Sequence, residues 1–322
     1  MSIPVYILKR IIQSIPLLII VSIISFTIIK LSPVDPLAEL KMNPAISPAT
    51  LQAEKERLGL DLPVHEQYIS WAGNFIQGDL GVSTSGESVV DRLMERIPNT
   101  LLLTAVVILV TWLVAIPLGI YSALNWKTTA DRVLTIIASM GMAIPSFFFA
   151  LLLLIFAVKT GWFPVGGLTS VGFENFTPFE KFLDIAHHLV LPVIVLSTIS
   201  LAGLQRQMRG NLLDVLESDY VKMARAKGLP ENKVVYKHAV RNAINPLVTM
   251  LGFEFAALLN GAALTEFVLQ YPGLGRLILE AVMKSDINLV MASLMIGSIM
   301  LIAGNLLADI MLKLVDPRVS LS

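Results

Sequence analysis

Cysteine is absent from the 322-residue chain, which excludes a disulfide framework and any thiolate metal centre. Charge is scarce as well. Only 15% of residues are charged and 55% are hydrophobic, whereas a soluble domain runs near a quarter charged. The mean hydropathy of +0.74 agrees. These proportions exclude a cytosolic enzyme, an intrinsically disordered chain and a nucleic-acid binder. Catalytic signatures are missing too. No Gly-Lys dipeptide occurs, so the chain cannot build a Walker A phosphate cradle. There is no His-Glu-x-x-His, and Gly81-Val-Ser83-Thr-Ser85 has serine where a nucleophile elbow needs its second glycine.

What the chain does have is a set of long apolar runs. Crossing about 30 Å of hydrocarbon takes about 20 apolar residues in a helix. Six candidate spans meet or approach that length: Ile11–Ile29, Leu101–Leu124, Val133–Val158, the shorter Leu189–Leu204, Leu247–Thr265 and Ile287–Ala308. The first is longer than a signal-peptide core and ends in Lys30-Leu-Ser-Pro33, so it reads as a retained anchor. Pro117 and Pro145 are placed to kink the second and third spans. Small residues spaced by four, Ser293/Gly297 and Gly304/Ala308, suit close helix packing in the sixth.

Formal charge balances at 24 basic against 24 acidic residues, but the distribution is uneven. With the N-terminus inside, fourteen Lys and Arg fall on the cytoplasmic side and ten outside. Five of those ten lie in the long segment 31–98, which the positive-inside rule discounts. Both termini are therefore expected in the cytoplasm. Segment 31–98 carries ten acids and five bases and is expected to form a small external cap with helical stretches at Pro48–Leu58 and Val89–Arg96. Residues 205–245 form a cytoplasmic loop with eight bases and four acids, net +4.

Ionisable groups inside a membrane are candidate functional sites. Glu254 lies about 12 Å into the fifth span at 1.5 Å per residue. It has two readings: it lines an aqueous pathway beside Asn260 and Glu266, or it pairs with a polar group on a neighbouring helix and is structural. His187-His188 at the start of the fourth span also has two. Adjacent helical residues point about 100° apart, so helix-end polarity is the blander account and a metal pair the sharper one.

The most informative local run is Asp219-Tyr-Val-Lys-Met-Ala-Arg-Ala-Lys-Gly228-Leu-Pro230. Ser218 or Asp219 can cap a short helix, and an acid there suits the dipole. Gly228 is placed for a left-handed turn after it, and Pro230 forbids continuation. The face formed by Tyr220, Ala224 and Lys227 presents an aromatic anchor beside a small residue, which fits a partner's groove. The alternative is a basic loop lying against anionic lipid.

Ala224-Arg-Ala-Lys-Gly228-Leu, followed by His238-Ala-Val-Arg-Asn242-Ala-Ile-Asn-Pro246, resembles the cytoplasmic EAA loop of ABC-transporter permeases. The match is closest to the B-type permease of dipeptide, oligopeptide and nickel importers. The resemblance covers nearly the whole chain through Leu58-Gly-Leu-Asp61-x-Pro63, Gln67-Tyr68, Gly78-Asp-Leu-Gly81 with Ser83, and Thr100-Leu101. It continues through Thr265-Glu266, Tyr271-Pro-Gly-Leu-Gly-Arg276 and Asp316-Pro-Arg318. His238-Ala-Val-Arg241 stands where the wider superfamily has Ile-x-Leu-Pro, a departure that looks like the peptide-importer version.

The resemblance implies an all-α integral membrane protein with the six-helix, MetI-like fold of type I ABC importers. Residues 1–98 would form the first transmembrane helix and external segment, and residues 99–322 the permease core. It implies no catalysis and no cofactor in this chain, with ATP and Mg bound by two separate ATPase subunits. Residues 217–228 would be the coupling helix, with Glu217, Asp219, Tyr220, Ala224, Arg225, Ala226 and Gly228 at the ATPase contact. A second homologous permease, an external solute-binding protein docking near 31–98 and 270–286, and membrane lipid are the other partners. The implied location is the bacterial inner membrane and the implied cargo is peptide. Nickel, glutathione or another small solute is the alternative cargo, and an autonomous channel the remote one.

Overall fold

The computed structural model describes residues 3–31, 37, 41–42, 46–57 and 59–315. Expectations resting on Leu58 and on Asp316-Pro-Arg318 lie outside the described residues. Among the described residues the regular structure is helical, apart from a single isolated antiparallel bridge between Val82 and Ser88.

The chain opens with α1 (Ile3–Leu31), followed by the short α2 (Pro48–Arg57) and α3 (Val64–Ile76). The sequence reading had not marked α3 as a helix. Next comes α4 (Val89–Leu124), whose N-cap Ser88 accepts from the Asp91 N–H. This helix runs unbroken from the stretch expected at Val89–Arg96 into the second span, across residue 98. The pair α5 (Thr129–Ala143) and α6 (Ser146–Thr160) follows. The longest helix is α7 (Pro178–Leu216), which begins at a complete capping box between Thr177 and Glu180 with Pro178 in its first turn. Its 39 residues extend about 58 Å, far beyond the 16-residue span expected there. After the short α8 (Asp219–Ala226) come α9 (Asn245–Gly261), α10 (Ala263–Val268), α11 (Leu274–Met283) and α12 (Ile287–Val315).

Six uninterrupted spans are not what the described residues form. Four helices, α1, α4, α7 and α12, are long and apolar enough to cross a membrane, and α5 with α6 makes a fifth span if the bent pair counts as one. The expected kink at Pro145 is a 97° break. Ile144 is extended at φ −91°, ψ 122°, as a residue before proline prefers, and Pro145 has no N–H to continue the ladder. The run expected as a fifth span, Leu247–Thr265, divides into α9 and α10 around Ala262. At 17 residues α9 reaches about 25 Å.

The helices pack through small residues where the backbones come close. A Cβ on Gly119 of α4 would sit 2.7 Å from the Met208 Cβ and 2.9 Å from the Gln205 carbonyl on α7. Gly304 of α12 is covered equally tightly by the Phe255 ring of α9, whereas Gly297 faces open space. Of the small residues singled out in the sixth span, Gly304 therefore carries a contact and Gly297 does not. Ser293 is fully buried, and the side chain of Ala308 lies outside the described residues. Helix α1 is peripheral. It is tied to α12 where the Tyr6 hydroxyl donates to Asp309 at 2.7 Å and Arg10 reaches the same carboxylate at 3.0 Å. The start of α1 and the end of α12 thus share one side of the bundle.

Gly119→Ala should cost about 1–3 kcal/mol through overpacking, lowering the thermal midpoint of the detergent-solubilised protein. Gly297→Ala should leave it unchanged.

Candidate functional site

The 205–245 loop holds one short helix at both ends. Ser218 occupies the N-cap of α8 with extended backbone, but its hydroxyl donates back to the Val215 carbonyl at 2.5 Å instead of capping. The C-terminus is closed by a Schellman motif. Gly228 N–H donates to the Arg225 carbonyl at 2.9 Å, and Leu229 N–H to the Ala224 carbonyl at 3.4 Å. Gly228 supplies φ +77°, while a Cβ there would meet nothing within 4 Å. The demand for glycine at 228 is therefore one of backbone handedness, not of space.

Beyond the helix, Arg225 grips Glu231 with Nη2 at 2.7 Å and Nε at 3.2 Å. The guanidinium's hydrogen bonds hold the Glu231 carboxyl below its ordinary range. The chain then enters a π-helical stretch, Val234–Val240. Its wide i→i+5 turn stacks Val234 over Ala239 and Val235 over Val240, and all four are buried. This explains the apolar positions of the His238-Ala-Val-Arg-Asn242-Ala run. Asn242 donates to both the Tyr220 hydroxyl and the His238 carbonyl at 2.9 Å, fastening the run to α8.

Val221 and Ala224 insert into one cluster with Leu204, Met208 and Leu212 of α7, the π-helical residues, and Leu247 of α9. The expectation that Ala224 stands on the contact face is corrected: it is only 8% exposed and belongs to the chain's own core. The i, i+3 pair of Val221 and Ala224 forms the small apolar stripe that faces inward. Glu217, Asp219, Tyr220, Arg225, Ala226 and Gly228 are exposed. Met223, 58% exposed beside Tyr220, joins them. Sequence reading passed over Met223, although its position three residues after Tyr220 is the signal that would have found it.

A buried ion pair supports this loop from above. Arg209 on α7 engages Asp131 in bidentate fashion at 2.7 and 2.8 Å. The same carboxylate accepts from the Ser122 hydroxyl and from Lys127 N–H at 3.1 Å. Asp131 thus joins the ends of α4 and α5 to α7, seven residues before α7 ends. No sequence motif pointed to it.

The intramembrane candidates fare differently from one another. Glu254 accepts from the Trp112 indole of α4 at 2.7 Å, so its carboxylate has the neighbouring-helix partner that the structural reading requires. The side chain of Asn260 lies outside the described residues. Glu266 is corrected as a pathway-lining residue, since it is 1% exposed and fully engaged within the chain. Its carboxylate sits at the N-terminus of α11, accepting from Arg276 N–H at 2.9 Å and lying near the Thr100 hydroxyl at 3.5 Å. Helix N-terminal amides favour an anion in that place. Thr100 in turn accepts from Leu274 N–H at 2.7 Å, and Gly273 leaves room that any Cβ would take from Glu266. Tyr271 donates to the Asn99 carbonyl at 2.8 Å. The Thr265-Glu266 and Tyr271–Arg276 motifs are therefore the two halves of one clasp onto α4. His187 and His188 point to different backbone carbonyls, Trp162 and Asp184, each at 2.8 Å.

A second clasp fastens segment 78–88. Asp286 receives the Ser83 hydroxyl, Thr84 N–H at 3.0 Å and Leu289 N–H at 3.0 Å. Asn288 donates to the Val82 carbonyl at 3.0 Å and crowds Gly81, which turns at φ +75°. The Gly78-Asp-Leu-Gly81 and Ser83 motif is thus the piece of the N-terminal segment that ties it to the α11–α12 turn.

These features define a polytopic helical membrane protein with a rigid, twice-anchored helix projecting from one face. Residues 115–321 match the family model described as binding-protein-dependent transport system inner membrane component. Residues 4–104 match the model for the N-terminal part of such membrane components. The chain is 40% identical over 317 residues to the oligopeptide transport system permease protein AppB of Bacillus subtilis (strain 168), covering 98% of both chains. It is 34% identical over 329 residues to the di/tripeptide transport system permease protein DppB of Pseudomonas aeruginosa (strain UCBPP-PA14), again covering 98% of each. The chain belongs to the family of inner-membrane components of binding-protein-dependent transport systems. It is a multi-pass inner-membrane permease subunit, and membership of such a system brings ATPase subunits and a binding protein as partners.

Asp131→Asn should cost about 3 kcal/mol by leaving Arg209 without its counter-charge, read as a lowered thermal midpoint in detergent. The double variant Asp131→Leu/Arg209→Met should recover most of that loss.

Proposed function

We propose that this chain forms half of the translocation pathway of an ATP-driven importer for di- and oligopeptides. A homologous permease supplies the other half and two ATPase subunits drive it. The peptide cargo rests on relatives named as oligopeptide and di/tripeptide permeases. In this reading the 205–245 loop and both termini are cytoplasmic, and residues 1–98 and 99–322 act as anchor-plus-external segment and permease core. ATP and Mg belong to the partner subunits, and this chain contributes no catalysis and binds no cofactor. Glu254, held by the Trp112 indole of α4, serves in this reading as a helix–helix tie, with pathway lining as its alternative role.

The observation that carries the proposal is the mechanical continuity of α8. A lever transmits force only if it cannot fray or pivot. The Schellman closure, the Arg225–Glu231 grip and the Asn242–Tyr220 bond hold both ends of α8. Val221 and Ala224 lock its inner face into a core shared by α7 and α9. An ATPase groove holding Glu217, Asp219, Tyr220, Met223, Arg225 and Ala226 would therefore move α7 and α9 together. Arg209–Asp131 would carry the displacement on to α4 and α5.

Mild-detergent purification from the native membrane, with mass spectrometry of what accompanies the chain, tests the assembly. A second permease and ATPases bearing Walker motifs are expected, and recovery of this chain alone would overturn the reading. Coupling is tested at residue 228. Gly228→Val imposes about 1–2 kcal/mol of left-handed strain without a clash, so peptide uptake should fall several-fold while ATP hydrolysis continues. Gly228→Asn, which tolerates that conformation, should retain uptake.

A further inference from the structure

The N-terminal segment is expected to stand outside the membrane as a cap, and the contacts of α3 with α1 bear on how far from the hydrocarbon that helix lies. The apolar stretch of α1, Ile11–Ile29, covers about 28 Å at 1.5 Å per residue, the thickness of the hydrocarbon. Lys30 closes it at headgroup level, its ammonium lying 5.5 Å over the Phe26 ring. Ser22 lies seven residues below Ile29, about 10 Å into the hydrocarbon. The Tyr68 hydroxyl of α3 shares a 2.8 Å hydrogen bond with that Ser22 hydroxyl. Its ring meets Phe26 edge-on at 5.5 Å. A tyrosine side chain spans little more than one helical turn. The axis of α3 beside Tyr68 therefore lies at or just under the level of Lys30, alongside α1 and not above it.

The faces of α3 are sorted accordingly. Tyr68, Trp71 and Phe75 form an aromatic row with centroids 6.1 and 5.4 Å apart, anchored against α1 through Tyr68. Gln67, Ser70 and Asn74, with Trp71, line a mixed polar and apolar cavity of about 490 Å³ shared with Lys30, Phe26 and Asn288. The remaining face carries Ile69 and Ile76, two turns apart, with Gly73 between them and the exposed His65 and Glu66 at its N-terminal end. These isoleucines are 66% and 84% exposed, and nothing lies within 4 Å of a Cβ built on Gly73.

We propose that α3 lies flat in the membrane interface, with Ile69 and Ile76 inserted among the acyl chains of the adjacent leaflet. Two observations select lipid as the occupant. One is the depth fixed by the Tyr68–Ser22 bond. The other is continuity with α1, whose Ile28 is 63% exposed near that level and whose Ile19, Ile20, Ile23 and Ile24 are 46–53% exposed below it. An apolar face immersed 5–10 Å into the headgroup–acyl boundary, backed by aromatic residues, is the expected geometry of an interfacial helix. Helix α3 then braces the outer end of α1, and the binding protein meets the segment through its other surfaces. The inference does not depend on cargo or on coupling.

The absence of cysteine makes the test direct. Ile69→Cys, Ile76→Cys and Asn74→Cys variants of the full chain, in native membrane vesicles, are reacted with a charged, membrane-impermeant maleimide. A parallel set carries bimane and is exposed to brominated phospholipid. Positions 69 and 76 should label at least ~10-fold more slowly than position 74, as acyl-chain immersion requires, and their bimane should be quenched by the lipid. Labelling of 69 and 76 as fast as 74 would overturn the proposal. Slow labelling without lipid quenching would also overturn it, by assigning the face to a protein neighbour. Two independent positions keep the result readable if one variant is not inserted.

Discussion

In hydrocarbon every backbone polar group has to be satisfied inside the chain, and that constraint organises the whole molecule. It forces helices on the apolar runs and drives polar side chains to the bundle's two ends, where they can meet helix termini and one another. Three carboxylates do most of the joining. Asp131 fixes α4 and α5 to α7 near one face, while Glu266 and Asp286 bind α11, α12 and the N-terminal segment near the other. Each is buried and each is matched by several donors, as a buried carboxylate must be. Between these polar layers the helices touch through small residues, most closely at Gly119 and Gly304.

The same division explains how motion imposed at one face can reach the rest of the chain. The polar layer on the side of the 205–245 loop is continuous with the core that receives Val221 and Ala224. Displacement of α8 is therefore displacement of α7 and α9. A loop bound only by exposed ion pairs would not behave this way, because such pairs contribute little rigidity. On the opposite face the two clasps keep the α10–α11 turn and the Gly78–Ser83 loop fixed to α4 and α12. A partner docking there meets a preformed surface.

Much of this was legible in the sequence. Hydropathy located the apolar runs, the Gly228-Leu-Pro230 ending announced a helix stop, and the Ala224–Leu229 and His238–Pro246 motifs carried the resemblance to the family. The breaks were less legible. Pro145 signalled a kink, but whether proline bends a helix by 20° or by 97° depends on what packs beside it. Val234–Val240 has no helical period of 3.6 because it folds as a π-helix, so its burial pattern of five was unreadable by the usual template.

Residue identity and order determined, by themselves, that the chain is membrane-embedded and helical, and that a helix beginning at Asp219 is stopped by a left-handed turn at Gly228. Those properties depend on local chemistry: transfer free energy, capping and backbone handedness. Tertiary structure alone decided which way each of these residues faces. Ala224 turned inward, Glu266 was taken up by the N-terminus of α11, Asp131 found Arg209 78 residues away, and Tyr68 reached down to Ser22. Partners so far apart in sequence leave no periodic trace, because their pairing is set by how whole helices cross.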